Sequence, residues 1–220
     1  MKKALSLVVL AIIITMTNIG SAEQMKSTME NIKLRQPQFD QNITLYDAFK
    51  QRKSARSFSK KQITDQDLSN LLWSAAGINR TNGKRTVPLL GNIAVYVAMD
   101  SGVYLYNAKN HELEHKLIKD IRGDISPQSK VKKAPIVFIL TIDDSSFSMF
   151  MKSAMQKAHG MDFYHGNQVA YSTQNIYLYA CSNNMNSVII GQLYSDKIDK
   201  ILEFKKSQKS YLLQLVGYRP

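Results

Sequence analysis

The apolar run APIVFILTID, residues 134–143, constrains the fold more than any other stretch of the chain. A strand with one buried face alternates apolar and polar residues, whereas this run is almost continuously apolar after Pro135. Such a pattern is typical of a strand that is covered on both faces. We therefore predict a central strand here, with other elements packed on both sides of its sheet.

The rest of the chain mixes helical and strand patterns. Apolar residues at helical spacing predict helices that begin at Thr44 and Thr64, and further helices over 111–124, 145–158, 162–184 and from Ser195 to Phe204. Alternating or β-branched runs predict strands over 92–100, 103–108, 186–191 and 210–218, the first two joined as a hairpin. Because helices and strands do not alternate strictly, the predicted fold class is α+β.

The first 22 residues have the pattern of an export signal peptide. Lys2 and Lys3 precede an apolar run over residues 4–16, and Gly20-Ser21-Ala22 supplies small residues before a cut at Glu23. The run is shorter than the roughly 20 residues that a membrane-spanning helix needs. We predict a signal peptide over 1–22, an extended lead-in over 23–43, a domain over 44–220 and a periplasmic location. An uncleaved anchor or a buried helix is the alternative.

Charge and cysteine content limit the classes of partner. The formal net charge of +12 favours anionic partners, but the lysines are dispersed, so no nucleic-acid partner is expected. Cys181 is the only cysteine, which rules out an intramolecular disulfide and a thiolate zinc site. No metal-binding signature or hydrolase triad is evident, so neither a metal nor a catalytic side chain is predicted. The apolar surroundings of Cys181 predict a buried, unreactive thiol.

The stretch QRKSARSFS, residues 51–59, is the first candidate binding site. Arg52, Lys53 and Arg56 surround Ser54, and guanidinium groups present planar forks of donors that suit phosphate oxygens. The same cations would also suit a solvated helix end, where they stabilise the helix dipole. In the same way, Gly191 after three β-formers indicates a bulge, a close backbone approach or a strand end. Taken alone, the basic stretch does not distinguish a phosphate site from a solvated helix end. Gly191 alone does not distinguish a bulge, a close backbone approach and a strand end.

Five stretches in order narrow the choice. They are RKSAR, LSNLLWSAAGINRTNGKRTVP, GNIAVYVAMDSGVYLYN with KAPIVFIL, QNIYLYACSNNMNSVIIGQL and the terminal LLQLVGYRP. Together they resemble the FMN-dependent nitroreductase family, in the subgroup whose second helix contains Leu-Leu-Trp-x-Ala-x-Gly. The resemblance extends from about Leu45 to Pro220.

The resemblance implies a mainly antiparallel sheet of four to five strands flanked by helices, in a homodimer with FMN at the interface. It also implies a role for each matched position. Arg52, Lys53, Ser54 and Arg56 would hold the FMN phosphate and ribityl chain. Ile189, Ile190 and Gly191 would run along the isoalloxazine with backbone N–H groups toward N5 and O4. Pro88, Leu89 and Leu90 would come from the other subunit, Asn79 would contact the ring or the substrate, and Arg219 would replace a C-terminal basic residue of the family.

The implied activity is hydride or electron transfer through flavin N5 to a small organic acceptor, with the flavin rather than a side chain carrying the chemistry. NAD(P)H is the family's usual electron donor, and an exported member would instead need a quinone or a membrane redox partner. The loop VPLLG departs from the family's Pro-Ser-Ala-like loop. Two other functions therefore stay open: a non-enzymatic module that binds flavin or another anion, and a basic protein that docks on anionic lipid.

Overall fold

The structure is a computed structural model that describes residues 30–88 and 92–220. The signal peptide predicted over 1–22, the first part of the lead-in, and the predicted site residues Leu89 and Leu90 lie outside these residues. Residues Ile32–Pro220 form one compact unit. Within the described part of the chain, no helix is both long enough and apolar enough to cross a membrane.

The described residues contain one sheet of seven strands. These are β1 (Ile32–Lys33), β2 (Asn92–Met99), β3 (Gly102–Asn107), β4 (Glu112–Leu117), β5 (Ile136–Asp143), β6 (Met185–Ile190) and β7 (Gln208–Tyr218). Their order is β1-β4-β3-β2-β5-β7-β6, and neighbouring strands are antiparallel. The α+β class and the mainly antiparallel sheet are confirmed, but the sheet has more strands than the expected four to five.

β5 is an interior strand between β2 and β7 and is covered on both faces, as the apolar run predicts. Its residues from Ile136 to Ile142 are all buried. Phe138 and Leu140 belong to the core on one face of the sheet, whereas Val137 and Ile139 belong to the core on the other. When both faces of a strand are covered, a polar side chain on either face would be buried. The strand is therefore almost continuously apolar.

The two additional strands are β1 and β4, and the helix predicted over 111–124 is wrong. Leu113 and Leu117 are four residues apart, which suits a helix, but in the structure a register shift opposite Val103 and Tyr104 lets them pack in the cores on opposite faces of a strand. The turn after β3, where the Asn107 side chain accepts from the N–H groups of Lys109 and Asn110, folds this segment back as β4. Its outer edge then pairs with β1 from the lead-in.

Six helices are present in the described residues. They are α1 (Leu45–Gln51), α2 (Asp65–Ala76), α3 (Lys130–Lys133), α4 (Met149–Ala158), α5 (Met161–Ser182) and α6 (Ser195–Ile201). Thr44 and Thr64 cap α1 and α2 as predicted, each accepting from the third residue of its helix. Ser195 does not cap α6, because its hydroxyl donates to the Ser210 carbonyl and Tyr194 takes the N-cap position.

Helices cover both faces of the sheet. The core on one face includes residues of α2 and α5, and the core on the other includes residues of α3, α6 and the loop after β4. The described part of the lead-in runs across α2: Leu34 is buried, Gln38 N–H donates to the Asn70 side chain, and the His111 ring contacts the Arg35 carbonyl. These contacts fix the chain that enters α1.

Candidate functional site

The basic stretch lies along the free edge of β6. Helix α1 ends at Gln51, and Arg52 has extended ψ at its C-cap, so the chain leaves the helix there. Ser54 forms a parallel β-bridge with Ser187, and the Ala55 N–H donates to the Ser187 carbonyl at 2.9 Å. This pairing brings residues 52–56 next to the strand that ends at Gly191.

The cations of this stretch are not neutralised. In the described part of the chain, none of Arg52, Lys53 and Arg56 forms an ion pair with a carboxylate. The Arg52 guanidinium carbon lies 5.4 Å from the centre of the Tyr177 ring, while Lys53 and Arg56 are exposed. Three cations without carboxylate partners beside one hydroxyl leave their donors available to an anion.

Tyr177 connects the basic stretch to β6, and the sequence analysis did not single it out. Its hydroxyl accepts from the Ile189 N–H at 2.9 Å and shares a hydrogen bond with the Ser54 hydroxyl at 2.9 Å. Tyr177 is buried on the face of α5 that packs against the sheet. Helical spacing predicts a core position for Tyr177 but no partner. The one sequence signal for its role is that a buried tyrosine hydroxyl needs a polar partner.

The open edge of β6 leaves one backbone donor available. Alternate residues of an edge strand direct their backbone groups to the same side. On the open side, the Ser187 carbonyl accepts from Ala55 and the Ile189 N–H donates to Tyr177. Gly191 has the same parity and comes next. Its N–H donates to no acceptor among residues 30–88 and 92–220.

The backbone at Gly191 does not itself require glycine. Its φ is not in the left-handed region, and an added Cβ would have only the Leu212 Cδ2 atom within 4.0 Å. Packing inside the described chain therefore leaves room for a side chain here. Close approach of a ligand to the backbone would give glycine a physical reason.

The structure corrects part of the expected contact along the strand. The Ile189 N–H was expected to face the ligand, but it is used by the Tyr177 hydroxyl. The Ile190 side chain is buried in the core on the far face of the sheet. Of the three residues, Gly191 is the one that presents a free backbone donor at the open edge.

The remaining predicted residues are not brought into this cluster. Asn79 lines a separate cavity, and its side-chain oxygen accepts from Arg80 Nε at 3.0 Å. Pro88 is exposed, next to residues outside the described ones. Arg219 donates through Nη2 to the Cys181 carbonyl at 2.9 Å, so its guanidinium is held at the C-terminal end of α5.

Cys181 has the surroundings of an unreactive thiol. It is buried, and its sulfur contacts the Ala48 carbonyl at 3.2 Å. Burial is the main cause that raises the pKa of this thiol, although Arg219 and Arg52 act in the opposite direction. A raised pKa lowers the thiolate fraction, which agrees with the predicted structural role.

Comparison with known proteins identifies the family. The sequence model described as the Nitroreductase family matches residues 49–218 of the chain. The chain belongs to the nitroreductase family. The resemblance to the nitroreductase family is therefore confirmed, and membership supports an oxidoreductase function.

Individual relatives agree with this assignment. A Methanocaldococcus jannaschii protein that carries the name nitroreductase is 27% identical over 190 residues, covering 80% of this chain and 92% of its own. A solved nitroreductase structure from Ralstonia eutropha has a TM-score of 0.76 and 27% identity, covering 88% of this chain and 91% of that one. One from Anabaena variabilis has a TM-score of 0.68 and 20% identity. It matches 87% of this chain but 42% of that longer chain, and it supports the fold alone.

Proposed function

We propose that this nitroreductase family member is an exported FMN-dependent oxidoreductase that passes electrons to a small organic acceptor. The observation that carries the proposal is the pairing of the basic stretch with the open edge of β6. Three cations that form no ion pair within the described residues, and the free Gly191 N–H, lie along one edge of the sheet. One end suits a phosphate, and the other suits a planar ring that approaches bare backbone.

The residues present fit FMN. The phosphate would be held by Arg52, Lys53, Ser54 and Arg56. Ser187, which pairs with Ser54, and Gly191 are four positions apart in the chain. This corresponds to a rise of about 13 Å along an extended strand. That separation suits a ligand with an anionic end and a ring end. The open space at the Gly191 Cβ position is the feature that a ring would use.

Bound FMN would supply hydride transfer chemistry at its ring. The Gly191 N–H would donate a hydrogen bond to the ring edge, where negative charge develops on reduction. The three cations would neutralise the phosphate, and Tyr177 would hold the two ends of the site at a fixed separation. No acidic side chain is needed for this role, which agrees with the absence of a catalytic triad from the sequence prediction.

A homodimer is part of the proposal. Helix α1 exposes three large apolar side chains directly before the basic stretch: Leu45 is 63%, Tyr46 71% and Phe49 58% exposed. A contiguous apolar surface on one short helix favours a protein partner. A second copy covering this face would bring its Pro88–Leu90 loop to the flavin, as the family resemblance implies. Sedimentation of the purified protein should show a dimer.

The electron donor follows from the proposed location. NAD(P)H is the donor by family resemblance, while a quinone or a membrane redox partner would serve an exported enzyme. Anaerobic addition of NADH and of a soluble quinol, each followed by the flavin absorbance, distinguishes these donors. Flavin that is bound but reduced by neither donor would favour the non-enzymatic module instead.

The test of the proposal is a visible absorption spectrum of the purified protein before and after FMN is added. We expect flavin bands shifted from those of free FMN, and uptake of about one FMN per chain by flavin-free protein. A folded protein that is colourless and takes up no FMN would contradict the cofactor assignment.

A further inference from the structure

The cavity that Asn79 lines is distinct from the β6 edge. It is open to solvent, has a volume of about 460 Å³, and is lined by residues of the lead-in, α1, the end of α2 with the loop that follows it, and α5. No residue of the basic stretch and none of Ile189, Ile190 and Gly191 lines it. Its volume is within the range of pockets that bind small molecules.

The cavity has an aromatic wall. The Phe39 ring lies 5.3 Å from Trp73 and 5.5 Å from Tyr179, measured between ring centres, with tilted and edge-to-face geometry. Phe39 is 44% exposed although it is held by both rings. Leu45 and Leu178 add aliphatic surface. A planar apolar ligand would cover side chains that are otherwise in contact with water.

Several hydrogen-bond donors around the cavity are used inside the chain, although the second amide hydrogens of Asn175 and Asn183 and the Asn79 Nδ2 group have no acceptor among the described residues. Asn175 Nδ2 donates to the Ser74 carbonyl at 3.0 Å, and Asn183 Nδ2 donates to the Tyr179 carbonyl at 2.9 Å. The Thr86 hydroxyl donates to main-chain carbonyls of α2, and the Trp73 indole donates to the Ile78 carbonyl.

Two carboxamide acceptors around the cavity remain available. Within the described residues, the side-chain oxygens of Asn175 and Asn183 accept no hydrogen bond. Asp40 adds a carboxylate, and no Lys, Arg or His lines the cavity. Acceptors without a nearby cation disfavour an anionic ligand. They favour a ligand that carries hydrogen-bond donors, because a paired polar group binds better than an unpaired one.

We propose that this cavity binds a neutral planar aromatic molecule that carries hydroxyl groups, of the phenol or hydroquinone class. The aromatic wall supplies the ring contact, and the free oxygens of Asn175 and Asn183 accept from the hydroxyl groups. This inference goes beyond the proposed flavin function. The cavity shares no lining residue with the basic stretch or with residues 189–191, and Asn79 is the one described residue of the predicted flavin site that lines it.

Trp73 is the only tryptophan of the chain, so its indole N–H gives one resonance that reports on the cavity. The experiment is an anaerobic titration of ¹⁵N-labelled full-length protein with 1,4-dihydroxynaphthalene, matched by 1,4-dimethoxynaphthalene. The two probes share the ring system and both oxygens, and the second lacks hydroxyl donors. We expect a saturable shift of the Trp73 signal, with affinity for the diol at least about tenfold higher.

A variant tests the acceptor directly. Asn175→Leu removes the free oxygen, while the Ser74 carbonyl still accepts from Thr86 at 3.1 Å. We expect its affinity for the diol to fall several-fold, toward but not to the level of the dimethyl ether, because the Asn183 oxygen still accepts from one hydroxyl group. Gln174→Leu, on the exposed side of the same helix, is the control and should bind as the wild type does.

Two outcomes would overturn the proposal. Equal affinity of the wild type for the diol and the dimethyl ether would refute the hydroxyl class of ligand. A Trp73 signal that does not respond to either probe would refute the site, including the case in which a second copy of the chain fills it. Neither outcome bears on FMN uptake, which is measured separately.

Discussion

The β6 edge and the Trp73 cavity offer opposite chemistry although both are built on α5. Tyr177 of this helix serves the edge, where cations and a backbone N–H present donors. Asn175 and Tyr179, two residues to either side, line the cavity, where carboxamide and carboxylate oxygens present acceptors. Residues one or two positions apart on a helix point in different directions. One helix can therefore separate an anion site from a site for a neutral aromatic molecule.

This separation makes the two regions mutual controls. A change at the edge should alter FMN binding and leave the Trp73 signal and its response to the diol as they were. A change in the cavity should do the reverse. A variant that alters both would show that α5 couples them.

The largest effect on the edge is expected from Gly191→Val. A Cβ meets only one side-chain atom there, so the fold should tolerate it, whereas a ring could no longer approach the backbone. We expect FMN affinity to fall by about 100-fold or more, a loss of about 2.7 kcal/mol, with little change in melting temperature.

Gly217→Ala is the contrasting variant for this prediction. Its Cβ would lie 2.8 Å from Pro135 and 2.9 Å from Phe58. It should destabilise the fold by about 1–3 kcal/mol, measured by denaturant unfolding. If Gly191→Val unfolds as readily as Gly217→Ala, or binds FMN normally, the open-edge site is wrong.

Arg52→Ala should have the next largest effect. Loss of a charged hydrogen bond to phosphate costs about 1.5–3 kcal/mol, which corresponds to roughly 10- to 100-fold weaker FMN binding. Lys60→Ala, an exposed lysine just beyond the stretch, is the control. FMN titration of both variants measures the difference, and equal affinity would refute the phosphate assignment.

Tyr177→Phe should weaken the connection between the two ends of the edge site. It leaves the part-buried Ile189 N–H without its acceptor, which costs about 1 kcal/mol of unfolding free energy. We also expect FMN affinity to fall about tenfold, because the separation of Ser54 and Gly191 is no longer fixed. Tyr171→Phe, an exposed tyrosine of the same helix, should change neither quantity.

Salt should distinguish the two regions without any mutation. Raising ionic strength from 0.05 to 0.5 M screens the exposed cations around the phosphate and should weaken FMN binding a few-fold. Binding of the neutral diol, followed at Trp73, should be unaffected. The same salt dependence for both ligands would contradict the assigned difference in charge.

A change of pH should alter the free energy of unfolding, and it should have the smallest effect on ligand binding in either region. Burial is the main cause that lowers the pKa of His165, with Asp144 and Asp162 opposing it and Lys209 and Lys152 adding to it. Below about pH 6.5 the unfolded chain then binds the proton more readily, so the free energy of unfolding should fall as pH decreases.

His165→Asn should flatten this dependence, because the variant has no imidazole to protonate. Its amide N–H can still donate to the Tyr211 hydroxyl, the partner of His165 Nδ1 at 2.6 Å. His159→Asn, an exposed histidine, is the control. Chemical denaturation at pH 7.5 and 5.5 measures the effect, and an unchanged slope in His165→Asn would refute it.

Local chemistry accounts for what could be predicted from the sequence. Thr44 and Thr64 cap their helices through bonds that span three residues, and the composition of β5 reports its burial on both faces. β4 could not be predicted, because the spacing of Leu113 and Leu117 suits a helix, whereas pairing with β3 and β1 and an irregularity in that pairing place the two residues in different cores. Propensity yields to such tertiary pairing.

The site was predictable only in part for the same reason. The basic stretch and Gly191 could be found by matching ordered motifs, which are local in sequence. Tyr177 could not, since its partner Ser54 lies 123 positions away and its other partner is a backbone N–H. The cavity beside Trp73 likewise depends on Phe39 of the lead-in meeting Tyr179 of α5. Contacts over such separations are properties of the fold.

The bridge between Ser54 and Ser187 also has a consequence for how the protein behaves at high concentration. An edge strand with unpaired backbone groups is a template for strands of other molecules, and intermolecular pairing of this kind leads to aggregation. The residues that follow α1 occupy the first half of the β6 edge, and Tyr177 occupies the next position. Only the last donor stays open, so a ligand bound there would also protect the protein from self-association in storage and in the cell.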